Sequence, residues 1–491
     1  MHPLHRWLNA TRHYRQREMA DLFTGPWPPK TNFAALVTAP AGYGVFASLG
    51  PHFQYAIFGR DSIETAEDLL GTHQQLAHDI ILTLCRLQGV ATNTVSEEEP
   101  GKIHHEYRAL RLDGFTIPDS SQQILRDLQS IWGGQGTEEM IYYGTHDATP
   151  LFIRLVGQYI AAYGRTILEE SFTGRGDRTQ TVQGSLLAAT TWLVGKLQSH
   201  PLGLFAYKRL NPQGIANQDW KDSGTSHIHA DGSMPNLEGG IASIELQGYA
   251  YDALQTMLHL GLGSQEQRHT WSELAHHLQR QTIASFWMYD EQYFAQGIDF
   301  DAQNQPRQIA SVTSDAGALL DSNLLHDLSE HDAGYYTKSI ARTVFSPELL
   351  TSIGIRCRAV RYWDLLDFID YHGPNTVWPK ETFDIAKGLR RAGLHSLAAE
   401  LDKRLMTSLE KAGEFYEFFY VSRIGKVWYD HKDALAHFSA ESSGHFIPMP
   451  EPGQAWTIAA AIRIAAGLHP VRPLPTPTDF EQSLLASITE H

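Results

Sequence analysis

A mostly helical protein, arranged as a barrel of paired helices, is what this sequence predicts. Apolar residues recur at helical spacing through much of its 491 residues, strand-like alternation is scarce, and unusually long polar segments separate the periodic runs. Leu151, Phe152, Leu155, Val156, Tyr159, Ile160 and Tyr163 share one face at the i, i+3, i+4 spacing. Similar faces follow Leu76–Leu87, Leu186–Leu197, Ile241–Leu258, Trp271–Leu278, Leu389–Leu405 and Trp456–Leu468. By this pattern the chain holds about ten to thirteen helices. Short strand candidates are 44–49, 55–58, 205–207 and 415–422. No sequence period repeats, which argues against a solenoid.

The segments 92–119, 211–240, 364–380 and 425–454 are Gly-, Pro- and Asn-rich and too long to be plain connectors. Long ordered loops on a rigid scaffold are where function usually sits. Residues 1–30 read as an N-terminal arm, 31–470 as one helical barrel, and 471–491 as a Pro-rich C-terminal tail. Length alone would allow about three domains, but large helical barrels exceed the usual size.

Composition narrows the partners. A formal charge of −16 argues against nucleic acid or an anionic membrane. The 11 Trp and 20 Tyr supply a large core and the flat faces on which sugars stack. Cys85 and Cys357, the only cysteines, give neither a disulfide framework nor a zinc cluster, so a reducing compartment is expected. No apolar run of signal-peptide or membrane-spanning length appears, and a cytoplasmic protein follows.

Asn217-Gln218-Asp219-Trp220-Lys221-Asp222-Ser223 is the stretch richest in chemistry. It sets a carboxylate two residues after a Trp, just past the turn signal Asn211-Pro212-Gln213-Gly214. A carboxylic acid held against an indole loses water, and its pKa rises toward the range where it donates a proton at neutral pH. Glycosidic cleavage needs such a donor for the leaving oxygen. A W-x-D triplet by itself is also a common surface loop, so its company matters.

That company is an ordered series. It comprises Phe58-Gly59-Arg60-Asp61-Ser62, His105-Glu106-Tyr107-Arg108, Tyr142–Phe152, Asn217–Ser223, Glu245-Leu246-Gln247-Gly248-Tyr249, His372–Pro379 and Gln454-Ala455-Trp456. The series, spanning 33–468, resembles the (α/α)6-barrel glycoside hydrolases. It looks most like bacterial amylo-α-1,6-glucosidase or glycogen-debranching-like proteins. More distantly it is similar to family 63 enzymes such as processing α-glucosidase and mannosylglycerate hydrolase. The resemblance implies an all-α (α/α)6 toroid, a six-hairpin glycosidase fold with long loops and a few short strands at one end. It implies an Asp general acid at Asp222 and a late Glu as base, for which Glu417 in Phe415-Tyr416-Glu417-Phe418-Phe419-Tyr420 is the best match. Glu441 and Glu451 lie nearer Gln454 and stay open as rivals. It further implies sugar contacts from Arg60, Asp61, Glu106, Trp220, Lys221, Gln247 and Trp378.

Each contact has a plainer reading. Arg60 and Asp61 can equally brace the helix that begins near Ile63, and Glu106 with Arg108 can be a solvated charge pair. Asp147 sits where a helix N-cap is expected before the run from Leu151, and capping is its predicted role. A lone Trp is more often core, but Trp220 and Trp378 both adjoin turn residues.

Two segments depart from the family pattern. Lys380-Glu381-Thr382 follows the Trp-Pro dipeptide where the family usually has His-Asp-Asn. Pro448–Gly453 stands where a Cys usually precedes Gln-Ala-Trp. Residues ahead of Gly59 are too few for the β-sandwich many debranching-like relatives carry, which shifts the expected substrate toward a small α-glycoside. No G-x-S-x-G, HExxH, P-loop or paired CxxC occurs. The expectation is an inverting, exo-acting α-glycosidase that removes a terminal α-linked sugar, glucose by preference, without a metal or organic cofactor. Alternatives are a barrel that binds carbohydrate without catalysis, and a sugar epimerase or isomerase on the same fold, which would use two facing His in place of the W-x-D acid.

Overall fold

The computed structural model describes residues 39, 42–112, 115–441, 447–467 and 475–489. The N-terminal arm 1–30 and the start of the tail lie outside the described residues.

Helices dominate: α1 (Gly59–Leu69), α2 (Gln74–Leu87), α3 (Asp119–Trp132), α4 (Ala148–Tyr163), α5 (Val182–Ser199), α6 (Ile244–Leu260) and α7 (Gln265–Phe286) form the first half. The second half holds α8 (Asn323–His326), α9 (Glu330–Val344), α10 (Pro379–Arg391), α11 (His395–Ala412), α12 (His431–Glu441), α13 (Ala455–Gly467) and α14 (Asp479–Thr489). Most begin or end on a local signal. Ser264 and Gln267 form a reciprocal capping box at the start of α7, and Pro379 occupies the first turn of α10, where its missing N–H costs nothing. Gly261 ends α6 in the left-handed region, at φ 64°.

Contacts close a circuit. α1 packs on α4, α4 on α6, and α6 on the 3-10 segment Ser314–Asp321; that segment packs on α10, α10 on α13, and α13 back on α1. Outer helices back this ring: α2 lies on α1, α5 on α4, α7 on α6, α9 on the 3-10 segment, and α11 on α10. The inner position explains why α1 is buried almost throughout its length, polar residues included. α14 falls in the stretch read as a tail, and its Phe480, Leu484, Leu485 and Ile488 pack against the main core. No helix among the described residues is long and apolar enough to cross a membrane.

Short strands bring the loops together. β1 (Ile57–Phe58) pairs with β2 (Glu106–Ala109), Phe58 opposite Glu106, and β2 pairs with β3 (Glu139–Tyr142). β4 (Thr376–Val377) pairs with β5 (Phe419–Tyr420), Val377 opposite Phe419. Of the other strand candidates, 205–207 contributes a single bridge from Tyr207 to Ile241. Too few neighbours lie alongside it to extend the ladder.

Candidate active site

The inner segments present their N-terminal ends to one region. Arg60 and Asp61 open α1, Trp378 and Pro379 open α10, Gln454 and Trp456 open α13, and Asp147 and Glu245 stand at the starts of α4 and α6. Helix N-termini carry partial positive charge, a favourable setting for carboxylates.

Close approach of the chain is required here. A β-carbon on Gly59 would lie 2.2 Å from the His104 carbonyl oxygen, so only glycine lets β1 turn into α1 while its N–H bonds the His105 carbonyl. The β1–β2 pairing then brings Glu106 to the cavity that Arg60 lines. The β4–β5 pairing sets Glu417 near Trp378.

These elements enclose a cavity of about 200 Å3 whose wall includes Arg60, Asp61, Glu106, Trp220, Asp222, Trp378 and Glu417. Residues far apart in the chain therefore meet in one place. Arg60 is the hub. Its Nη1 donates to Asp147 Oδ2 (2.8 Å) and the Asp219 carbonyl (3.1 Å), and its Nη2 to Asp222 Oδ2 (3.2 Å). Asp147 consequently does not cap α4; its side chain makes no capping bond and instead accepts from Arg60 and from Thr145. An ion pair with a buried guanidinium outweighs one cap N–H. Asp61 accepts from Gln454 Nε2 (3.2 Å), and Glu106 is held by Arg108, itself bound to the His52 carbonyl.

Glu417 sits in an aromatic cluster with Trp220, Trp378, Phe418, Tyr420 and Trp456 around it. Tyr371 donates its hydroxyl to Glu417 Oε1 (2.5 Å), and the Glu451 N–H donates to Oε2 (3.3 Å). Glu451 itself does not line the cavity; its Oε2 accepts from Ser48 (3.0 Å). The Glu441 side chain lies outside the described residues. Burial pushes Glu417 up to about 8 against those two donors. Burial likewise raises Asp222 and Asp61 to about 6, with Arg60 opposing both shifts.

Two residues expected to touch substrate do not line the cavity. Lys221 Nζ is taken up by Asp315 and Glu381, each at 3.0 Å. Gln247 braces backbone, donating to the Phe205 and Ser243 carbonyls and accepting from the Phe205 N–H. In both cases buried internal partners use the polar atoms that a sugar would need. The unusual Lys380-Glu381 pair belongs to the same layer. Lys380 bonds Glu64 (2.9 Å), and its Nζ lies 4.7 Å from the centre of the Trp220 ring.

Tyr371, His105, His372 and Trp456 also line the cavity and were not singled out from the sequence as contacts. Tyr371 immediately precedes the His372–Pro379 motif, within a loop already marked as functional. That proximity was the available signal. His372 stacks on Trp378 at 4.9 Å, its Nδ1 lies 2.9 Å from Ser223 Oγ, and burial keeps both His105 and His372 well below their ordinary pKa. Among the described residues no cluster of three or more His, Cys, Asp or Glu is arranged to hold a metal.

No family model and no curated protein sequence matches the chain. Solved structures do. A wild-type glycosidase aligns with 93% of this chain and 99% of its own at 13% identity and a TM-score of 0.54. A variant glycosidase in complex with glucose aligns over the same shares at 12% identity and a TM-score of 0.53. A family 63 mannosylglycerate hydrolase from Thermus thermophilus, in complex with glucose, covers 87% of this chain and 96% of its own at 12% identity and a TM-score of 0.50. The chain thus shares, over nearly its full length, the helical fold found in glycosidases.

Proposed function

We propose that this protein is an inverting, exo-acting α-glycosidase built on an (α/α)6 toroid. The closed circuit of inner segments with outer partners supports the toroid. The observation that carries the activity is that Asp222 and Glu417 line one small cavity walled by aromatic rings and further carboxylates. At about 200 Å3 it suits a single terminal ring rather than the interior of a polymer. Trp220 and Trp378 form its apolar wall, and Arg60, Asp61 and Glu106 hold the ring hydroxyls. Asp222 protonates the leaving oxygen, and Glu417 takes a proton from the water that attacks the opposite face of the anomeric carbon. The substrate is a small α-glycoside, a glucoside by preference.

A panel of α-linked disaccharides and glycosylglycerates, with the product anomer followed by NMR, tests this. Release of the β-anomer first is the expected result; the α-anomer would end the inverting mechanism, and binding without turnover would favour a carbohydrate-binding protein. A second reading draws on His105 and His372, two neutral imidazoles on the same wall. A proton-abstracting isomerase would use such a pair, and the same NMR spectra would show an isomerised sugar in place of hydrolysis.

A further inference from the structure

The segment 370–375 is shared between two cavities. Tyr371 and His372 line the small one, while Asp370, Pro374 and Asn375 line a larger one of about 790 Å3. Buried polar side chains stand in the wall of the larger cavity. Arg358, Asp370 and Asn375 are 1%, 2% and 3% exposed. Arg358 Nη2 donates to the Thr225 and Ser226 carbonyls and meets Asp370 Oδ2 at 3.1 Å. Its Nε, and Asn375 Nδ2, find no partner among the described residues.

The chemistry of the wall selects the ligand. Arg358, Arg423 and Lys426 are matched by Asp364, Asp367 and Asp370, so the lining carries no surplus charge for an anion or a cation to neutralise. Donors and acceptors both line it, and Trp363 adds an apolar face. That mixture suits a neutral, polyhydroxylated ring that stacks one face and hydrogen-bonds at its edge.

We propose that this cavity is a second saccharide-binding site, taking one or more neutral pyranose units outside the small cavity. Its choice of saccharide over other neutral polar ligands rests on the glycosidase reading. The wall between the sites is one hydrogen-bonded unit. Ser223, adjacent to Asp222, donates to Asp370 Oδ1 (3.3 Å) and lies 2.9 Å from His372 Nδ1, so an occupant touching Asp370 is two bonds from the small cavity's lining. The ring bound there comes either from the remote end of the chain being cut or from a separate molecule.

Titration calorimetry on the full chain carrying Glu417→Gln, with maltotriose and isomaltotriose as probes, decides the matter. Binding should persist when excess glucose fills the small cavity, and Trp363→Ala should weaken it about tenfold. Asn375→Ala should act in the same direction. Trp363 lies at the half-buried rim, so its variant keeps the test alive if Asn375→Ala does not fold. Absence of glucose-resistant binding, or binding unchanged in Trp363→Ala, overturns the proposal. On wild-type protein, a kcat/KM that rises with chain length and loses that rise in Trp363→Ala identifies the remote end of the substrate as occupant; no such rise identifies a separate molecule. Hydrolysis without second-site binding would sink this site and spare the glycosidase reading, and the reverse pattern would do the opposite.

Discussion

Two groups of buried charge lie about Trp220, each with two cations for four carboxyls, and they differ in what the carboxyls face. Beneath the indole, Lys221 meets Asp315 and Glu381, and Lys380 meets Glu64 and Asp384, every pair within 3.3 Å. Along the cavity, Asp61, Glu106, Asp222 and Glu417 share chiefly Arg60 and Arg108. In the first group the outcome is divided: Asp315 and Asp384, each facing a lysine, are held below their ordinary pKa despite burial, while burial raises Glu381 and carries Glu64 to about 8. In the second, burial wins, and Asp61, Asp222 and Glu417 are all raised. Carboxyls that face lysines inside the protein make a scaffold. Carboxyls around an open space can meet a substrate, and that difference supports the cavity as the proposed place for chemistry.

The largest expected effect separates the two carboxyls. Asp222→Asn should lower kcat on a natural glycoside by about a hundredfold or more, yet spare a glycosyl fluoride, whose leaving group needs no proton. Glu417→Gln should abolish both, since every substrate needs an activated water. The pKa order in the empty cavity runs the other way: Glu417 is pushed to about 8, while Asp222, at about 6, is paired with Arg60. If the fluoride is spared by Glu417→Gln and lost in Asp222→Asn, the roles are exchanged and the pair stands. Full activity of either variant on the natural substrate would remove that residue from the mechanism.

Breaking the scaffold should give the converse result. Lys221→Met strands Asp315 and Glu381 without their cation, at a cost of about 3–5 kcal/mol. Urea unfolding would measure it, and an unchanged midpoint would mean the network is not the support inferred for Trp220.

Stability against pH tests the cavity's share of a cost that Glu64, also raised to about 8, adds to. The raised cavity carboxyls are neutral in the folded protein where they would already be ionised in the unfolded chain. Their contribution is complete below the ordinary carboxylate pKa of about 4. It is lost as pH rises through about 6 for Asp61 and Asp222 and about 8 for Glu417. The melting temperature should therefore fall between pH 5 and pH 8.5 on the order of degrees, and less so in Glu417→Gln. Identical slopes in the two proteins would place the cost elsewhere.

The smallest effect concerns Tyr371. Its hydroxyl favours the ionised form of Glu417, so Tyr371→Phe should move the acidic limb of the kcat/KM profile upward by roughly half a pH unit to one unit. A lower plateau with an unmoved limb would assign Tyr371 to packing alone.

Much of the scaffold was legible in the sequence, because helical periodicity is a local property. The face from Leu151 to Tyr163 lies on α4, and the face that begins at Trp456 lies on α13. Strand extent was less legible. Of the candidate 415–422 only Phe419–Tyr420 pairs, since a ladder depends on a partner strand that no local pattern names. The cavity residues reached from motif order were those whose neighbours in sequence are also their neighbours in space, such as Arg60 with Asp61 and Trp220 with Asp222.

What the sequence by itself determined, then, is the helical class, the loops that carry polar aromatics, and a carboxylate set beside an indole. Only tertiary structure decided which charges face the space and which face one another. Lys221 and Asp222 are consecutive, yet one is consumed by Asp315 and Glu381 and the other lines the cavity with Arg60. Asp147 looks like a cap and is the anchor of Arg60; Tyr371 looks like a loop residue and holds Glu417. The physical reason is that a charge's role is fixed by its partner and its access to water. Both come from segments far away in the chain, brought close only when the ring of helices closes.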